Sequence, residues 1–100
     1  MGLFGQPRLI KMAKKRERLE VIRDILKATK EKRNIKPTRL LYASNLSPQM
    51  FKEYVDELVE KKFINIDVVS DKKTFSLTKK GFEFLNEYKV LERFVESFGL

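Results

Sequence analysis

The chain has 100 residues, of which 42% are hydrophobic and 36% charged, and this content fits one compact domain but not two independently stable ones. It contains no Cys and no His, which removes disulfide frameworks, thiolate zinc sites and the commonest metal ligand and general base, so neither a metal nor a cofactor is expected. A formal charge of +8 points instead to an anionic partner, most often nucleic acid.

The basic excess starts at the N-terminus, where Met1 to Arg18 hold six basic residues against Glu17 alone and so carry +5 of the +8. Residues 1–13 contain Gly2, Gly5 and Pro7 and lack a sustained period, which predicts a flexible basic arm, with helix beginning near Lys14. From Arg16 to Lys32, Leu19, Ile22, Ile25 or Leu26, and Thr29 recur at helical spacing with charges between them, the pattern of an amphipathic helix. The stretch "NIKP" (Asn34 to Pro37) ends it, because Pro37 cannot continue a helix and biases Lys36 away from helical angles.

A short second helix follows on Leu40, Leu41 and Ala43, and Asn45 tolerates the left-handed conformation that closes it. Tyr42 and, further on, Tyr54 are expected to be half-buried core residues with wet hydroxyls. Ser47 caps a third helix, Pro48 suits its first position, and Leu46 can staple onto Phe51. Phe51, Tyr54, Val55, Leu58 and Val59 form its apolar face.

The period then changes to two. Ile64, Ile66 and Val68 alternate with polar residues, Ser70 to Lys73 make a polar turn, and Phe75 and Leu77 alternate with Thr74 and Ser76, which predicts a β-hairpin. Thr78 caps a last helix with no breaker until Gly99, about 20 residues and so about 30 Å long. Gly81 within it is read as a close-packing position. The longest stretch free of charge, Leu40 to Phe51, is far short of the ~20 apolar residues that span a bilayer, so no membrane association is expected and the protein is read as cytoplasmic.

Four segments, "RERLEVIRDIL", "TRLLYASNLS", "YVDELVEKKFI" and "FSLTKKGFEFL", together resemble the archaeal winged helix-turn-helix DNA-binding family that includes small coiled-coil chromatin proteins. The resemblance covers roughly Arg16 to Leu91. It implies a mainly α fold with a small β-hairpin wing, duplex DNA binding without chemistry, and homodimers joined through the C-terminal helix as an antiparallel coiled coil. The corresponding division is a basic arm over 1–13, a winged helix-turn-helix domain over 14–78 and a dimerising helix over 79–100. Where such folds commonly have Gly before the first wing strand this chain has Lys62, and its third helix is unusually acidic.

Stepping about 100° per residue puts Gln49, Lys52, Glu53, Asp56 and Glu60 on the outward face of the third helix. Three of these five are carboxylates, so deep insertion of the whole helix beside phosphates is disfavoured, and groove contact is assigned to its first turn and a half, at Ser47, Gln49 and Lys52. Phosphate contacts are assigned to Arg33, Lys36 and Arg39 around the second helix, to Lys72 and Lys73 at the wing tip, with Lys79 and Lys80 nearby, and to Lys14, Lys15 and Arg16 next to the arm. In the last helix Phe84, Tyr88, Leu91, Val95 and Phe98 follow a heptad-like spacing, whereas Phe82 and Leu85 face the domain. Two apolar faces on one helix predict a homodimer. The expected role is a transcriptional regulator or small nucleoid protein, and not an enzyme; the alternative is a winged-helix module that binds a protein partner through the acidic third helix.

Overall fold

The computed structural model describes residues 7–100, with side chains described from Glu17 onward. Along the chain run α1 (Pro7–Glu31), α2 (Pro37–Ser44), α3 (Pro48–Glu60), β1 (Ile64–Val69), β2 (Lys72–Leu77) and α4 (Lys79–Ser97). The first helix starts at Pro7 and not near Lys14. Proline is compatible with a first helical position, and nothing from Arg8 to Glu31 breaks the helix that follows. Residues 1–6 of the expected arm lie outside the described residues.

The inner stripe of α1 consists of Ile22, Ile25, Leu26 and Thr29, all buried, while Leu19 at its near end is 37% exposed. Thr29 is accommodated because its hydroxyl donates to the Ile25 carbonyl at 2.8 Å. These residues form a common core with Ile35, Leu40, Val55, Leu58, Ile64, Phe75 and Leu85. Complete burial of Ile25, Leu26 and Leu40 contributes about 1.5–3 kcal/mol for each side chain.

Asn34, at φ +53°, turns the chain out of α1. Ile35 then exchanges two backbone hydrogen bonds with Phe75, of 3.0 and 2.8 Å, and so adds a one-residue third strand beside β2. This pairing anchors the start of α2 to the wing. Helix α2 buries Leu40 and Ser44 and ends at Asn45 in the expected left-handed conformation, φ 56° and ψ 35°. Three residues later α3 opens as expected, with Pro48 in its first turn and the Ser47 hydroxyl accepting from the Met50 N–H at 3.3 Å. Leu46 and Phe51 are both half-buried against the core.

At the far end of α3, Lys62 takes φ +67° and the Phe63 N–H reaches back to the Leu58 carbonyl at 2.9 Å. The left-handed geometry usually given to glycine is therefore kept, with lysine in it. Strands β1 and β2 pair antiparallel from Ile64↔Leu77 to Val69↔Lys72. Their turn is only Ser70 and Asp71, at φ 52° and 63°, the two-residue connection whose twist matches a hairpin. Lys72 and Lys73, expected in the turn, already belong to β2. Of the alternating apolar residues Ile64 and Phe75 are buried, but Ile66 and Val68 are 42% and 64% exposed, because the outer part of the hairpin has no core beneath it.

Thr78 joins wing to helix. Its hydroxyl accepts from the Gly81 N–H at 3.1 Å and lies 2.6 Å from the Lys62 carbonyl and 2.9 Å from that of Phe63. A Cβ on Gly81 would come within 2.5 Å of the Phe63 carbonyl oxygen, so close packing requires glycine there. Helix α4 runs antiparallel to α1: Lys30 lies over Phe82 near one end, while Arg23 lies over Tyr88 and pairs with Glu92 at 2.7 Å further along. Leu85 enters the core, and Phe84 meets the edge of Phe63 at 5.7 Å. Beyond Tyr88 the helix presents Leu91, Phe94 and Phe98 to solvent, 49%, 61% and 68% exposed.

Candidate nucleic-acid interface

Helix α2, the turn and the first turn of α3 lie within a run of one sign. From Lys32 to Lys52 there is no acidic residue, while Lys32, Arg33, Lys36, Arg39 and Lys52 are basic. All five are exposed, and the four that precede α3 belong to no ion pair among the described residues. Lys36 and Arg39 flank the start of α2, where Lys36 provides no side-chain cap and Pro37 has no N–H. Leu40 is the first residue there to bond back, to the Lys36 carbonyl at 3.0 Å. The amides of Thr38 and Arg39 thus remain open at the positive end of a helix, a geometry suited to an anion.

The Ile35–Phe75 bridge relates this end of α2 to the wing. Because the pairing is antiparallel, Lys36 follows Ile35 in the direction of Thr74 and Lys73 on β2. Two of the predicted basic groups are thereby brought together by backbone hydrogen bonds. Lys72 and Lys73 stand opposite Val69 and Val68, exposed on the outer half of the hairpin. At the start of α3, Ser47 and Gln49 are also exposed. Ser47 is engaged as the helix cap, so its hydroxyl is less free than Gln49 for any outside contact.

The acids of α3 are partly neutralised within the chain. Lys52 donates to Asp56 at 2.6 Å, and this hydrogen bond raises the lysine pKa. Glu57 does not share the outer face. It turns toward α1, accepts from Lys61 at 2.6 Å and pairs with Arg18, which also lies over Tyr54. These cations, Lys61 first, hold the Glu57 carboxyl below its ordinary range, and its hydrogen bond raises Arg18 in return. Glu53 and Glu60 are in no ion pair among the described residues.

Two expectations require correction. Tyr42 is 80% exposed and not half-buried, because α2 turns Leu40 and Ser44 inward and the position two after Leu40 falls on the opposite side. Lys80 is occupied by the fold: it donates to the Lys61 carbonyl at 2.8 Å, at the negative end of α3, and lies 4.5 Å from the Phe63 ring centroid. Lys79 is exposed. The side chains of Lys14, Lys15 and Arg16 lie outside the described residues, although their backbone belongs to α1. Among the described residues no helix is long and apolar enough to cross a membrane.

Residues 15–96 match the winged helix-turn-helix family. The chain belongs to that family. Two uncharacterised proteins of the archaeon Methanocaldococcus jannaschii are similar to this winged helix-turn-helix chain, one 42% identical over 67 residues and the other 32% identical over 81. These matches cover 67% and 81% of this chain but 64% and 36% of the relatives' own lengths. Among solved structures, Sso10a-2, a DNA-binding protein from Sulfolobus solfataricus, superposes with a TM-score of 0.67 at 25% identity, covering 80% of this chain and 82% of that one. A protein of unknown function from Listeria innocua shares the fold at a TM-score of 0.66 and 14% identity, over 97% of this chain and 80% of its own.

Proposed function

We propose that this winged helix-turn-helix protein binds duplex DNA as a homodimer, acting as a transcriptional regulator or small nucleoid protein. The carrying observation is the set of exposed basic side chains in the acid-free run from Lys32 to Lys52, beside the open amides of α2 and joined to Lys72 and Lys73 through the Ile35–Phe75 bridge. Arg33, Lys36, Arg39, Lys72 and Lys73 bind phosphates, as do Lys14, Lys15 and Arg16. Gln49 and Lys52 are the residues for the groove, with Ser47 fixing the turn that presents them. Before meeting a phosphate, Lys52 exchanges its bond to Asp56. The likeness to a DNA-binding protein of the same fold supports this reading, and the exposed apolar residues Leu91, Phe94 and Phe98 support pairing through α4.

Titration of fluorescently labelled duplex DNA at several salt concentrations tests it. Affinity is expected to fall linearly on logarithmic axes, with a slope of about 0.9 per phosphate neutralised. The double variant K72E/K73E is expected to lower affinity by about tenfold or more at moderate salt, since two contacts become repulsive. Failure of the wild type to bind duplex even at low salt discards the proposal. The outer face of α3, with Glu53 and Glu60 free of ion pairs among the described residues, then becomes the surface for a basic protein partner.

A further inference from the structure

The ring of Tyr42 is the largest exposed side chain of the helix-turn-helix, and it lies outside the core. Among the described residues its hydroxyl has no hydrogen-bond partner, and its ring has neither an aromatic nor a cationic neighbour. At 80% exposure it contributes almost nothing to the core. Stepping about 100° per residue from the buried Leu40 and Ser44 places Tyr42 directly opposite the core, with Arg39, three residues earlier, on one side of it and Thr38 on the other. Helix α2 has no acid on any face, and a basic residue, Lys36, precedes it.

We propose that Tyr42 is a contact residue for the DNA sugar–phosphate backbone, its hydroxyl donating to a phosphate oxygen while Arg39 pairs with the same strand. The inference rests on the DNA-binding reading above and extends it to a residue that charge alone does not reveal. A phenol suits this position for two reasons. Its O–H donates to an anionic oxygen, and its ring covers the apolar deoxyribose edge, which neither lysine nor arginine does as well. The contact positions the duplex without reading bases, so it affects all sequences alike.

The test compares wild type, Y42F, Y42A and R39Q by fluorescence anisotropy on two unrelated duplexes over a range of salt. Because Tyr42 is exposed, all four proteins are expected to melt together. Y42F is expected to bind both duplexes roughly tenfold to a hundredfold more weakly, the loss of one hydrogen bond to a charged group. Its slope against salt should match the wild type, because a neutral phenol displaces no counterion, whereas R39Q should lower the slope by about 0.9. Y42A should be weaker than Y42F if the ring also covers sugar. Wild-type affinity in both Tyr42 variants overturns the proposal while leaving the DNA-binding reading intact. Absence of wild-type binding overturns both.

Discussion

Lys62 and Gly81 show opposite uses of a glycine-like position. At Lys62 the backbone is left-handed, φ +67°, and the space around the side chain is open to solvent. At Gly81 the backbone is helical and the space is closed by the Phe63 carbonyl and Leu77. A lysine is thus tolerated at the first position, at a cost of about 1–2 kcal/mol for the left-handed conformation, whereas any side chain at the second collides with backbone. It follows that K62G stabilises the protein, because its side chain forms no ion pair among the described residues and its carbonyl, which faces the Thr78 hydroxyl, is retained. Glycine's larger unfolded-state entropy offsets part of the gain, leaving a net of about 0.5–1 kcal/mol. Thermal melting should rise by a few degrees; an unchanged or lowered midpoint contradicts the strain assigned to Lys62.

Between elements, Glu57 ties α3 to α1 by charge, accepting from both Arg18 and Lys61. Its pKa is lowered in the folded state, so its stabilisation is complete above the ordinary carboxylate range and is lost as pH falls through the lower folded value. The pair is partly exposed, with Glu57 at 27% and Arg18 at 43%, so the contribution is about 1 kcal/mol or less. Melting of E57Q beside wild type should therefore show a deficit near neutral pH that closes in acid; a deficit constant with pH would mean that the carboxylate charge is not responsible. This contact is also a measure of what the sequence reveals. Ser47, Pro48, Asn45 and Thr78 marked helix ends correctly because capping is local chemistry between residues a few positions apart. Arg18 and Glu57 are 39 positions apart, and Ile35 pairs with Phe75 through backbone alone, so neither leaves a periodic trace. Tyr42 was misjudged for another reason: α2 has only two turns, and a buried stripe is poorly defined by Leu40, Leu41 and Ala43.

On the scale of the whole molecule, the winged helix-turn-helix architecture was legible because its hydrophobic period switches from helical to alternating and back, and the basic surface because its charges cluster in sequence. How α4 divides its faces was legible only in part. Phe84 and Tyr88, assigned with Leu91, Val95 and Phe98 to one seam, are half-buried within the chain, where Phe84 meets Phe63 and Tyr88 lies under Arg23. The solvent-facing stripe begins later, at Leu91, and includes Phe94, which the heptad spacing omitted. Stepping about 100° per residue puts Leu91, Phe94 and Phe98 within one narrow sector, three large apolar groups with nothing over them among the described residues. Burying such a stripe against a second copy stabilises by about 1.5–3 kcal/mol per side chain, and a charge at its centre removes that gain. Under the proposed dimer, F94E should shift the mass in solution from twice the 11.9 kDa of one chain toward that of a single chain. Its melting point should fall and lose its dependence on protein concentration, since the second copy no longer adds to stability, while the core, which Phe94 lies outside, is kept. DNA affinity should fall with it by about two orders of magnitude or more, the avidity lost when two linked sites become independent. A wild-type protein that already has the mass of one chain, or an F94E protein that keeps the mass of two, removes α4 as the dimer contact.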